Sequence, residues 1–215
     1  MPCAREAGAC PKKKSLTATE QDAPRICALR KSFIKFAKKL DVRKLVFLDE
    51  AGSHIAMARE YGRAPIGERV RGSVPRNRGV VTTMLGALDY KGVRAMMTVE
   101  GATDAEVFEI FLRKVLAPKL RPGDIVILDN VGAHKPEAAR QIIEDRGASL
   151  LFLPPYSPDL NPIEPCWGKL KGILKDFGAR TREALDEAIG RALNMIVPAD
   201  ARGWFEHCGY RAHAE

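Results

Sequence analysis

Two short apolar runs, each ending in acidic side chains, mark the centre of the chain. KLVFLDE at 44–50 and GDIVILDN at 123–130 are rich in Val, Ile and Leu and lack polar alternation. Strands that are covered on both faces lose alternation, which is typical of central strands in α/β sheets. Between them, residues 79–90 and 92–101 predict an antiparallel hairpin, and residues 148–154 predict a further short strand.

The other segments have helical spacing. Residues 28–40 place Phe33, Phe36, Ala37 and Leu40 on one face and lysines on the rest of the surface. Further helices are predicted over 102–116 with Thr103 as N-cap, over 134–146, from the NPIE step at about 163, and from Thr181 to about Val197. This order predicts an α/β fold with a mixed central sheet flanked by helices.

The distribution of charge divides the chain into two parts. Residues 1–40 contain ten Lys or Arg and three acids, whereas the remaining residues are nearly balanced, so most of the net charge of +8 lies in the lead segment. We therefore expect a basic lead segment with one amphipathic helix over residues 1–40, and one catalytic domain over 41–215. The lead segment is either a solvated arm or a phosphate-contacting one.

Composition indicates a cytoplasmic protein. No window approaches the roughly 18 apolar residues of a membrane span, and the N-terminal stretch lacks the apolar core of a signal peptide. The five cysteines include no close pair of the zinc-binding or redox kind, so free thiols are expected.

Three acids stand where these elements meet. Asp49 and Asp129 each end a buried strand, and if the strands are neighbours both carboxylates project at one sheet edge. Glu164 follows Asp129 by 35 positions, in the first turn of a helix whose start is set by Pro162. Oxygen-rich clusters suit Mg²⁺ or Mn²⁺. Two such ions about 4 Å apart would activate the attacking oxygen and stabilise the leaving oxygen of a phosphodiester.

The sequence around these acids resembles a known family. ILDNVGAHK at 127–135, LLFLPPYSPDLNPIEPCWGKLK at 150–171 and LVFLDEAG at 45–52 closely resemble the signature of mariner-like DDE transposases of bacterial insertion sequences. The resemblance covers about residues 12–210. It implies an RNase H-like fold and two Mg²⁺ ions, with Mn²⁺ as a substitute. It also implies cut-and-paste movement of DNA by hydrolysis and then 3′-hydroxyl attack.

The same resemblance assigns roles to individual residues. Asp49, Asp129 and Glu164 become the catalytic acids and the metal ligands, while Asn130 and His134 lie at the edge of the site and orient a phosphate or a metal-bound water. The alternative is that Asn130 is an ordinary loop residue and His134 an ordinary residue at the start of a helix, without a role in the site.

Four other side chains near the motifs have both a functional and a structural interpretation: Glu50 or Asp159 could be a metal ligand, and His54 could approach the DNA. Glu50 is expected to point away from Asp49 if the strand still alternates there. Asp159 is expected to fix its turn by accepting backbone N–H bonds. His54 is expected on the surface, and Trp167 either stacks on a base or, as we expect, packs in the core.

Basic side chains predict the path of double-stranded DNA. The segment 59–78 is rich in arginine, and three lysines follow Glu164 on its helix. The expected phosphate contacts are Arg63, Arg69, Arg71, Arg76, Arg78, Lys169, Lys171 and Lys175.

Three functions remain open at this point: a transposase catalytic domain, an RNase H-like nuclease or resolvase, and an inactive remnant that binds nucleic acid. Members of the family carry helix-turn-helix modules ahead of the catalytic domain, but only about 40 residues precede Leu45. We therefore expect an upstream helix-turn-helix reading frame fused by frameshifting, or a truncated copy. Paired-end cutting implies a homodimer.

Overall fold

The computed structural model describes residues 19–129 and 136–212. The strands are β1 (Leu45–Ser53), β2 (Thr82–Asp89), β3 (Gly92–Glu100), β4 (Ile125–Leu128) and β5 (Ser149–Phe152). The helices are α1 (Pro24–Ala37), α2 (Ala105–Ile110, continued by a π-helical turn over Phe111–Leu116), α3 (Pro136–Glu144), α4 (Ile163–Phe177), α5 (Arg182–Leu193) and α6 (Pro198–His207). Within these described ranges, no helix is long and apolar enough to cross a bilayer.

The five strands form one mixed sheet in the order β3-β2-β1-β4-β5. β1 lies at its centre, antiparallel to β2 and parallel to β4, with Leu48 opposite Leu128. The predicted hairpin is confirmed: β2 and β3 are joined through Tyr90 and Lys91, and the Lys91 N–H donates to Asp89 at 2.7 Å. The predicted mixed sheet flanked by helices is therefore confirmed.

Two cores cover the two faces of the sheet. Alternate residues of β1 divide between them: Leu45 and Phe47 pack with α1, α4, α5 and α6, whereas Val46 and Leu48 pack with α2 and α3. The first four residues of β1 are thus buried on both faces, which explains why this part of its sequence is a continuous apolar run. The same alternation puts Asp49 on the α4 face and Glu50 on the opposite one, as expected from the sequence.

Two local expectations were wrong, and one helix was missed. The N-cap of α2 is Asp104, whose carboxylate accepts from Val107 N–H at 2.8 Å, and not Thr103. Phe36 is 48% exposed, because it lies at the margin of the narrow stripe formed by Phe33 and Ala37. Helix α6 was not predicted, although Pro198 at its first position is a start signal.

The N-terminal helix α1 is tied to the loop ahead of α4. The Arg30 guanidinium donates to both carboxylate oxygens of Asp159, at 3.0 and 2.6 Å, and to Ser157 Oγ at 2.7 Å. Gln21 donates to Asp159 as well, at 3.3 Å, and to the Tyr156 carbonyl at 3.1 Å. The expectation that Asp159 fixes its own turn through backbone N–H groups was therefore wrong, since side chains from another element hold it.

Replacing Arg30 by methionine is expected to lower the free energy of unfolding by roughly 1 kcal/mol, a modest value because Asp159 is 54% exposed. Chemical denaturation measures this change. The matched control is Arg25→Met on the same helix, where the side chain is exposed to solvent. An equal effect of both substitutions would contradict a specific role for the Arg30 contacts.

Candidate active site

Asp49 and Asp129 lie side by side at one end of the sheet. The paired register of β1 and β4 ends at Leu48 and Leu128, so the two aspartates are the next residues on adjacent parallel strands. Such strands are about 4.8 Å apart. Both positions fall on the face covered by α4, because Phe47 and Ile127 belong to that core. The expectation that two strand-end carboxylates share one edge is confirmed.

The third acid reaches this edge on α4. Pro162 occupies the N-cap of the helix, the Glu164 N–H donates to the Asn161 carbonyl at 3.1 Å, and Glu164 is exposed in the first turn. The opposite side of the helix is anchored by the buried Ile163, Cys166 and Leu170. This packing fixes the helix against β1 and turns its first turn toward the strand ends.

The titration of these acids shows that their charges act on one another. Burial, with smaller contributions from the negative charges of Glu164 and Asp129, raises the pKa of Asp49 to about 7, against the lowering effect of hydrogen bonds from the Glu50 backbone and Trp167. Loss of hydration also raises the pKa of Glu164, with a smaller contribution from Asp129, while Lys171 opposes the shift. The negative charges near this edge therefore oppose the ionisation of Asp49 and Glu164, in addition to the larger effect of burial.

The carboxylates form an open arrangement. Among residues 19–129 and 136–212, no three His, Cys, Asp or Glu side chains are grouped closely enough to hold a metal ion. Asp49 interacts electrostatically with Asp129 and Glu164, although the three side chains are not within the distances of a preformed metal site. Carboxylate oxygens are the ligands that Mg²⁺ and Mn²⁺ prefer, so the chemistry of this donor set fits such ions.

Asp49 is also held by neutral donors that sequence reasoning missed. Trp167 Nε1 donates to Asp49 Oδ2 at 3.2 Å, and Asn161 Nδ2 lies 3.5 Å from the same oxygen. Both side chains are 3% exposed, which confirms the expected packing of Trp167 in the core. A signal was present: a buried indole N–H requires an acceptor, and Asn161 precedes a helix with an apolar face.

Basic side chains predicted to contact DNA fall into two groups. The first five are exposed, in a segment between β1 and β2 that has no regular secondary structure: Arg63, Arg69, Arg71, Arg76 and Arg78. The second group lies on α4, where Lys169 pairs with Asp200 at 2.5 Å and Lys175 pairs with Glu60 at 2.8 Å. The charges of these two lysines are already partly neutralised, whereas Lys171 acts on Glu164.

The arginine-rich segment, residues 59–78, contacts the C-terminal end of α4 at its start and His54 at its end. Arg59 forms an ion pair with Asp176 of α4, next to the Lys175–Glu60 pair. At the other end, burial of the imidazole and, to a smaller extent, the charge of Arg78 lower the pKa of His54, and His54 Nδ1 accepts from Ala56 N–H at 3.2 Å. His54 is thus partly exposed at the surface.

Two expected site residues and part of the cysteine prediction fall outside the described ranges. Asn130 and His134 belong to the interval 130–135, so their predicted roles are untested. Of the five cysteines, Cys27, Cys166 and Cys208 lie within the described ranges, and all three are free thiols. Burial raises the pKa of Cys166 and Cys208 to about 12, so neither is a nucleophile at neutral pH.

Comparison with known proteins places this geometry in a family. The chain aligns along most of its length with solved structures of Mos1: the strand transfer complex (TM-score 0.70, 19% identity, 94% of this chain and 63% of that one) and the mariner paired end complex with Mn (0.69, 18%, 94% and 64%). The Mos1 mariner transposase catalytic domain aligns with a TM-score of 0.62 and 16% identity, over 91% of this chain and 92% of that one.

These neighbours confirm the RNase H-like fold. The chain spans about two thirds of the length of the Mos1 chains in the complexes. No curated protein matches the sequence. The model of the family described as DDE superfamily endonuclease matches residues 44–186, a range that contains Asp49, Asp129 and Glu164. The chain therefore belongs to the DDE superfamily endonucleases.

Proposed function

We propose that the protein is the catalytic domain of a DNA transposase, which cleaves DNA at the ends of a mobile element and joins them to a target. The observation that carries this proposal is the electrostatic interaction of Asp49 with Asp129 and Glu164 near one sheet edge, within the range matched by the endonuclease family. The Mos1 complexes that share this fold include strand transfer and paired end assemblies, and they support transposition over simple hydrolysis.

The three carboxylates would hold two Mg²⁺ ions, or Mn²⁺ ions, and Mos1 structures with both metals support this assignment. When bound, the ions supply activation of a water or a 3′-hydroxyl and stabilisation of the leaving oxygen. The protein's own contribution is placement: β1 and β4 fix the two aspartates, α4 brings Glu164, and buried donors fix the Asp49 carboxylate. The DNA phosphate has to lie at the open side of this edge, where Asp129 and Glu164 are exposed.

The proposal is tested by nicking of a supercoiled plasmid in the presence of Mg²⁺, followed by joining of a labelled 3′ end to target DNA. Nicking with joining supports a transposase, and nicking alone supports an RNase H-like nuclease. If neither occurs, even when a helix-turn-helix module is fused upstream, the chain is a remnant that binds nucleic acid. Analytical ultracentrifugation of the DNA complex tests the proposed homodimer.

The arginine-rich segment is proposed to bind the phosphates of double-stranded DNA. Changing Arg69 and Arg71 together to alanine is expected to weaken binding for all sequences alike, because phosphate contacts carry no base information. The plot of log K against log salt concentration has a negative slope, and each lost contact makes that slope less steep by about 0.9. Fluorescence anisotropy of a labelled duplex over a series of KCl concentrations measures this slope.

The matched control for this pair is the double substitution Lys119→Ala and Arg121→Ala. Both side chains are exposed and lie just ahead of β4, at the end of the sheet away from the acids. The control should leave the salt slope unchanged. An unchanged slope in the Arg69 and Arg71 variant as well would remove this segment from the DNA path.

A further inference from the structure

A buried indole holds the carboxylate at the centre of the proposed site. Trp167 is 3% exposed, and its Nε1 donates to Asp49 Oδ2 at 3.2 Å. A tryptophan that serves only as core filling needs some acceptor for its N–H, but any carbonyl would do. Here the acceptor is a carboxylate proposed to bind metal, and Asn161 Nδ2 approaches the same oxygen at 3.5 Å.

The opposite strand is shaped to admit this indole. Gly86 of β2 is the residue paired with Asp49 of β1, so it is the cross-strand neighbour of the carboxylate. A Cβ atom on Gly86 would stand 2.5 Å from Trp167 Cη2, closer than Cβ contacts in proteins come, and 3.1 Å from Cζ2, which is a tight contact. The absence of a side chain at Gly86 thus makes the notch in which the ring lies against the sheet.

Helix α4 supplies both the third acid and this donor. Glu164 and Trp167 are separated by three positions, which puts them on neighbouring sides of the same helix. The buried Ile163 and Leu170 fix the rotation of the helix about its axis. A single rigid element therefore sets the position of Glu164 and the orientation of the Asp49 carboxylate at the same time.

We propose that Trp167, seated on Gly86, is a positioning residue that orients the Asp49 carboxylate for binding the divalent ion. The inference rests on the proposed function, because it takes Asp49 to be a metal ligand. Outer partners that orient a metal ligand contribute to affinity, and their loss typically weakens metal binding by about 10- to 100-fold. Loss of the indole N–H is therefore expected to weaken the binding of Mn²⁺ by roughly tenfold.

The test compares the same chemical change at two tryptophans. Trp167→Phe removes the N–H and keeps an aromatic ring, and Trp204→Phe makes the equivalent change at the partly buried Trp204 of α6, packed against the same core. The dissociation constant for Mn²⁺ is measured from the electron paramagnetic resonance signal of the free ion, at a temperature where thermal unfolding shows each variant to be folded. A purely structural role would lower the melting temperature without changing this constant.

A second readout locates the ion. In Trp204→Phe the sole remaining tryptophan is Trp167. Mn²⁺, which is paramagnetic, should quench its fluorescence, whereas Mg²⁺ should not. If Mn²⁺ binds but leaves this fluorescence unchanged, the ion is not at Asp49 and the inference is overturned.

The outcomes separate the inference from the proposed function. Weaker binding in Trp167→Phe with wild-type binding in Trp204→Phe supports the inference, and equal affinity in both overturns it. If the wild type does not bind Mn²⁺, or if Asp49→Asn binds it equally well, the metal assignment itself fails.

If Trp167→Phe does not fold, Gly86→Ala decides, because it keeps the N–H but forces the indole to move. Its control is Gly172→Ala on α4, where an added Cβ meets nothing within 4 Å. Weaker Mn²⁺ binding in Gly86→Ala alone supports the inference, and unchanged binding overturns it.

Discussion

Replacement of Asp49 by asparagine is expected to reduce Mg²⁺-dependent nicking of plasmid DNA by about a hundred- to a thousandfold, the scale lost when a group central to the stabilisation of a reacting centre is removed. The amide keeps the shape of the side chain but removes the charge, and Asp49 interacts with both Glu164 and Asp129. Since the substitution relieves repulsion among three acids, the protein should be no less stable. Single-turnover cleavage measures the loss of nicking, and thermal unfolding measures the stability of the variant.

The control for this substitution is Asp145→Asn, at an exposed position after α3 whose carboxylate accepts from Gln141 at 2.7 Å. It removes the same charge away from the sheet edge and should leave cleavage unchanged. Residual cleavage within tenfold of the wild type in Asp49→Asn would show that the reaction does not depend on this acid.

The affinity for Mn²⁺ is expected to rise about tenfold for each pH unit up to about pH 7 and then to level off. Burial raises the pKa of Asp49 to about 7, and a metal ion binds the ionised carboxylate, so a proton has to leave. The raised pKa of Glu164 adds to the dependence at lower pH. Mn²⁺ titrations at a series of pH values measure this slope.

The same titration has a consequence for stability without metal. In the unfolded chain Asp49 ionises near its ordinary pKa of 3.8, whereas in the folded protein it keeps its proton up to about pH 7. The unfolded chain therefore binds fewer protons in this interval, and the contribution of Asp49 to the free energy of unfolding falls as the pH rises from about 4 to 7. Mn²⁺ should restore it. Asp49→Asn should remove the contribution of this residue to the pH dependence of Mn²⁺ affinity and of stability. A wild-type Mn²⁺ affinity that is independent of pH would contradict the assignment of Asp49 as a metal ligand.

The sheet and the positions of Asp49 and Asp129 could be predicted from the sequence alone, because both depend on local signals. The apolar runs of β1 and β4 reflect burial on both faces, and the acids that end them necessarily share an edge once the strands are parallel neighbours. Glu164 was predicted from a motif and from Pro162, which starts α4. Its approach to Asp49 depends on how α4 packs, and no spacing in the sequence encodes that.

Features that depend on contacts between distant elements were not predictable. Arg30 and Asp159 are 129 positions apart, so the role of Asp159 could not be inferred from its turn. The function of Gly86 depends on the ring of Trp167, which arrives from another layer. Similarly, Lys169 resembles a free basic residue in the sequence, but α6 brings Asp200 within 2.5 Å of it.

The contacts of Arg30 connect α1 to the loop that leads into α4. Tyr156, which has a φ of 56°, receives bonds from Arg30 and Gln21 at its carbonyl, and a few residues later the chain enters α4. A positive φ is unfavourable for a residue other than glycine, and the hydrogen bonds from Arg30 and Gln21, which lie outside the loop, help to maintain it. Because Arg30 and Gln21 hold the loop that leads into α4, loss of these contacts is expected to loosen the start of the helix that carries Glu164.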